Sequence, residues 1–234
     1  MSIWIMNEAA PRQLRFLLAL LATLTSLGLA FALLSLPIGT SELADRVVTQ
    51  MPESGVDHPV TAVLLNFRSY DTMLEIGVLF LAVVGVWSFG PVSLDPATLT
   101  PTGPVLGTAS SVLQPMVFLV AGYLLWVGAA APGGAFQAGA IIAAGGVLAI
   151  LTKWQPSANL RIWVEGGLAL GLLAFVGMAT ATLLHSGVLL TLAPEIASST
   201  ILMIEIAATV SIGLALPALY LGGSPANWTH REQK

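Results

Sequence analysis

Residues 201–221 read ILMIEIAATVSIGLALPALYL, an apolar run interrupted by a single charge, Glu205, and a single proline, Pro217. At about 1.5 Å per residue, a helix of this length spans about 30 Å, the thickness of a bilayer's hydrocarbon core. Polar and apolar positions do not alternate along it, so it is a helix and not a strand of a membrane barrel. The same test applied outward finds five further segments at 14–36, 73–89, 112–130, 136–151 and 162–184, of which 136–151 is short. The expected fold is therefore all-α integral membrane, with six transmembrane helices. Composition agrees. Of 234 residues, 56% are hydrophobic and only 9% charged, against about 25% charged in a soluble domain, and the mean hydropathy is +0.88.

These figures exclude a soluble enzyme domain and a disordered tail. Eight Lys and Arg against twelve Asp and Glu give no basic field, so no nucleic-acid partner is expected. There is no cysteine, and the three histidines are His58, His185 and His230. Disulfides, thiolate chemistry and a protein-built zinc or haem site are not expected. No Ser/His or metal constellation marks a catalytic centre, so the chain reads as no enzyme and as binding no cofactor.

Arg12 and Arg15 precede the first apolar run. That run is longer than a signal peptide's core and no clear cleavage site follows it, so it is expected to stay as a membrane helix. Basic residues set the orientation. With the N-terminus inside, Arg12, Arg15, Lys153, Arg161, Arg231 and Lys234 are cytoplasmic, and Arg46 and Arg68 are external. Both termini are expected in the cytoplasm.

The loops suggest two units. Residues 1–98 hold helices one and two, joined by a long acidic external connection, Pro37 to Tyr70; residues 99–111 form a linker; residues 112–234 hold the other four helices. The linker region, from Gly90 onward, is rich in Pro, Gly and Thr and reads as extended. Pro132-Gly133-Gly134 forms a tight turn between helices three and four. Small residues such as Ala138, Gly139, Ala143, Gly145, Gly167 and Gly171 suit close helix packing, within the chain or against another subunit.

Three carboxylates fall inside the expected helices: Glu75, Glu165 and Glu205. A charge at the centre of a membrane helix costs a few kcal/mol, about 2.5–3.5 for Asp, so such residues usually mark ion or proton paths. Glu75 shares a helix face with Arg68 and Asp71, although Thr72-x-x-Glu75 also reads as a capping box opening helix two. Glu165 lies four residues after Arg161, where an interfacial ion pair is the plainer reading. Glu205 has no basic residue within a turn, so its partner must be another helix, water or another protein.

At this point a family resemblance emerges. Residues 60–76, VTAVLLNFRSYDTMLEI, resemble the V-x-x-I-L-V-D-F-R-G-F-D-T-x-G-E-I signature. That signature marks the small two-helix subunit of membrane-bound hydrogenases and the C-terminal end of the A subunit of Mrp-type antiporters. Leu113-Gln114-Pro115, Tyr123 and the run Ala131-Pro132-Gly133-Gly134-Ala135-Phe136-Gln137-Ala138-Gly139 resemble the B subunit of multisubunit Na+/H+ antiporters of the Mrp or Mnh type. The chain resembles a fusion of the two, in the order of their genes. It departs from the pattern at Asn66, Ser69, Leu74 and Ala135, where the families usually have Asp, Gly, Gly and Gly. The resemblance implies a non-catalytic subunit of a membrane complex related to the arm of respiratory complex I, in a prokaryotic plasma membrane. Its implied partners are large antiporter-like subunits, a small subunit like the K subunit of complex I, and lipid. Na+ and H+ are the implied transported ions. Arg68, Asp71 and Glu75 carry over as ion-pathway residues, with Glu165 and Glu205 added on burial grounds, and Pro132, Gly133, Gly134 and Phe136 as packing and turn residues. A hydrogenase-like or complex I-like redox host, or a purely structural adaptor, is the alternative.

Overall fold

The computed structural model describes residues 12–35, 42–88, 103–152 and 160–222, and among these all regular secondary structure is helical, without strands. The helices are α1 (Arg12–Ser35), α2 (Glu42–Ser54), the single turn α3 (Pro59–Ala62), α4 (Ser69–Ser88), α5 (Pro104–Val127), α6 (Ala135–Leu151), α7 (Leu160–Ser186) and α8 (Pro194–Leu221). A five-residue π-helical turn, Val63–Phe67, continues α3, with Arg68 N–H donating to Val63 O at 2.8 Å. Among the described residues, five helices are long and apolar enough to cross a membrane: α1, α4, α5, α7 and α8. α6, at 17 residues, is about 26 Å long and is the short apolar helix of the set.

Three expectations change. The connection between helices one and two is not plain loop: it carries α2, α3 and the π turn, built on the apolar stretch ending at Phe67. Helix three begins at Pro104, inside the expected linker, because proline fits the first turn of a helix where its missing N–H is no loss. Helix six begins at Pro194 for the same reason. The linker residues 89–102, the loop with Lys153, and Arg231 and Lys234 lie outside the described residues, as do the side chains of Arg12, Arg15 and Arg161.

Packing divides the chain between Arg46 and Val47. In the first unit, no residue of α1's spanning stretch is buried. In the second, α4 joins α5 to α8, because its buried side chains Ile76 and Val83 belong to the cores built on α7 and α8. α8 is the centre, touching α4, α5, α6 and α7. One core gathers Ile76, Ala135, Phe175, Ile201, Ile204, Ala208 and Ile212. The other holds Val83, Val164, Leu168, Ala215 and Ala218.

Several glycines make close contacts inside this unit. A Cβ on Gly139 of α6 would lie 2.7 Å from Ile212 Cβ, one on Gly146 2.7 Å from Pro217 Cγ, and one on Gly171 of α7 2.9 Å from Ser211 Cβ. α6 and α7 thus approach α8 backbone to side chain. Gly139→Val is expected to lower stability by about 1–3 kcal/mol through overpacking. Gly177→Ala, where a Cβ meets nothing within 4 Å, should be neutral or slightly stabilising. Thermal unfolding of the two variants in the same detergent checks the contrast.

Candidate functional site

The first group of expected residues sits where α4 begins. Arg68 and Asp71 form an ion pair, and both side chains are well exposed, at 62% and 44%. Glu75 follows one turn on and is exposed, on the side of α4 that also presents Leu74 and Val78. The helix begins at Ser69, so Thr72 is not a cap and the capping-box reading fails. Thr72 is buried instead, and its hydroxyl donates to Leu64 O at 2.6 Å, inside the π turn. Two departures from the family pattern also have structural uses. Asn66 Nδ2 donates to Ser54 O at 2.9 Å, and Ser69 Oγ to Leu190 O at 3.3 Å.

Glu165 is half-buried on α7. It engages in an interaction, while the Arg161 side chain lies outside the described residues, so the expected pairing of these two is not part of the described structure. His185 closes α7 at its last turn. Among the described residues no group of three or more His, Asp or Glu is placed to hold a metal.

Glu205 is the buried charge. Because α8 starts at Pro194, Glu205 lies eleven residues in, about 17 Å along the helix and not near its end, and it is only 3% exposed. Its side chain crosses to α6. That helix starts after Gly134, whose φ of +103° no ordinary side chain adopts readily, and it has no side-chain cap of its own. The Glu205 carboxylate accepts the Ala135 backbone N–H, through Oε1, which is the oxygen that a Cβ on Gly134 would approach to 2.6 Å. The first N–H groups of a helix have no partner within it, and its N-terminus carries partial positive charge. Glu205 therefore caps α6 from another helix. Its second oxygen, Oε2, is buried without a hydrogen-bond partner among the described residues.

The turn that presents Ala135 is tightly wound. α5 ends at Val127, three residues earlier than expected. Ala131 N–H returns to Val127 O and Gly134 N–H to Leu124 O, both at 2.8 Å. A side chain on Gly133 would run into Leu124 O, and one on Gly128 would come within 2.6 Å of Gly134 N. Phe136, in the first turn of α6, packs half-buried against the larger core. So the structure brings Glu205 and the Pro132-Gly133-Gly134 turn together. Arg68, Asp71 and Glu75 take no part in this contact; Arg68 and Glu75 are exposed and Asp71 is half-buried, at the start of α4. The Glu205–Ala135 contact joins residues 70 positions apart. Its trace in the sequence is a lone mid-helix carboxylate and, elsewhere, a helix start with no Ser, Thr, Asp or Asn before it.

A family model described as a domain related to the MnhB subunit of Na+/H+ antiporters matches residues 105–224. A second, MbhE of the MBH complex, matches residues 10–92. Two solved structures are similar in fold. A chain of the Mrp complex from Dietzia sp. DQ12-45-1b has TM-score 0.62 and 22% identity; the match covers 92% of this chain and 26% of that one. A chain of the membrane-bound sulfane sulfur reductase, an archaeal respiratory membrane complex, has TM-score 0.64 and 24% identity, covering 88% of this chain and 97% of that one. This chain thus spans about a quarter of the Mrp chain that it matches. No curated protein matches it.

Proposed function

Because the chain belongs to the family of domains related to the MnhB subunit of Na+/H+ antiporters, we propose that it is a non-catalytic membrane subunit of a multisubunit cation/proton antiporter. In this reading it contributes one buried carboxylate to the route of the ion and packs larger subunits together. The observation that carries the proposal is Glu205: fully inside the unit, with one oxygen on the α6 N-terminus and the other unpartnered among the described residues. A buried carboxylate with a free oxygen needs a proton, a water or a cation to complete it. Na+ and H+ are the ions such a group exchanges. Arg68, Asp71 and Glu75 form the second part of the reading. Charged groups on the outward face of a spanning helix are costly against lipid, so this face is assigned to partner subunits, with Glu165 as a further candidate on the ion route.

The second reading, a subunit of a redox-driven ion-pumping complex, is favoured by the match to MbhE and by the fold of the reductase chain, which this chain covers almost end to end. Affinity purification from native membranes separates them: large antiporter-like chains alone support the antiporter, and accompanying redox subunits support the other host. Comparing Glu75→Gln and Glu205→Gln tests the role of the chain itself. Normal assembly with lost exchange supports translocation; lost assembly supports a structural adaptor.

The topology belongs to the same proposal. With α6 counted, six helices cross a prokaryotic plasma membrane and both termini lie in the cytoplasm. Reporter fusions at Gln155 and Lys234 should read cytoplasmic, and one at Glu53 external. An external reading at Lys234 contradicts the six-span assignment.

A further inference from the structure

Residues 54–69 lie in the segment that matches MbhE, yet four of their hydrogen bonds cross to the MnhB-related segment. The backbone N–H groups of Asp57 and His58 both donate to Ala129 O, at 3.2 and 3.0 Å, and the buried Thr61 hydroxyl donates to Gly128 O at 2.5 Å. These bonds hold the turn before α6. Ser69 reaches Leu190 O in the loop between α7 and α8. Gly55, at φ +70°, fits so closely on the start of α8 that a Cβ there would lie 2.6 Å from Ala197 Cβ and 2.8 Å from Pro194 O. Val56, Ala62 and Leu65 share the larger core with α8.

We infer that residues 54–69 are a docking clasp whose partner is the α5–α8 half of the same chain, and that the clasp holds the two segments together without the peptide link between them. The physical reason is selectivity. Inside a membrane, apolar faces such as the Ile76 and Val83 side of α4 gain little over lipid, and association depends on close packing and hydrogen bonds between elements. The clasp supplies both: it reaches the connections at 128–129 and at 190 with hydrogen bonds, and it seats Gly55 where no side chain fits.

The test uses the full chain with a protease site inserted between Asp95 and Pro96, purified in mild detergent and then cut. The two fragments are expected to elute together and to be captured by a tag on Lys234. Fragments that separate on cutting overturn the inference. Gly55→Val should reduce the captured N-terminal fragment about tenfold or more, and Thr61→Val, which removes one bond at little change in shape, should reduce it less. Capture of both cut variants at the wild-type level would also overturn it, because α4 alone would then suffice. The chain has no cysteine, so a His58→Cys, Ala129→Cys pair gives an independent readout. Oxidation should join the cut fragments on a non-reducing gel, and failure to join them contradicts the contact.

Discussion

Gly134→Val is expected to leave almost no folded protein in the membrane. Three costs fall on one residue. The φ of +103° is strained for a β-branched side chain, at about 1–3 kcal/mol. The new Cβ would lie 2.6 Å from Glu205 Oε1, so the carboxylate must leave the Ala135 N–H. That leaves a buried N–H and a buried oxygen unsatisfied, at about 1–3 kcal/mol each. Together these rival the whole stability of an ordinary domain, about 5–15 kcal/mol. Gly133→Val should act the same way through Leu124 O. Immunoblots of membranes, set beside exchange measured per assembled complex, check this: the amount of protein should fall by about tenfold or more, while the surviving complexes exchange near the wild-type rate. Normal amounts with slow exchange would make the turn a lining element of the ion route.

How much of this was legible in the sequence follows from what each signal depends on. Apolar length is a local property, so all six helices overlap their expected places, and the family resemblance, carried by local motifs, agrees with both family matches. Helix starts were missed where proline opens the helix: Pro104 and Pro194 read as loop, yet each is the first helical residue. The second start moved Glu205 from near a helix end to well inside it. Packing is non-local, and no pattern around Ile76 or Val83 announces that α4 sits on α7 and α8. Contacts also divide the chain at Arg46, whereas the family segments divide it between 92 and 105. The clasp explains the difference, since it binds one segment into the other.

Thr72 shows the same limit on a smaller scale. Thr-x-x-Glu is a helix start only if the helix starts there. With the π turn and Ser69 ahead of it, the threonine is interior and its hydroxyl serves Leu64. Glu75 is thereby freed from a capping role and left on the outward face.

The most direct test of the account is Glu205→Gln in the assembled complex, with cation-driven proton exchange followed in membrane vesicles. Gln keeps an oxygen for the Ala135 N–H, so the α6 cap and the amount of complex should persist. It cannot gain or lose a proton, and it carries no charge for a cation. Exchange is therefore expected to fall about tenfold or more. Glu205→Asp, which keeps a carboxylate on a shorter side chain, should retain part of the activity. Exchange at the wild-type rate in the Gln variant, throughout the range from about pH 6 to about pH 9, would contradict the account and leave Glu205 as the cap of α6 and nothing more.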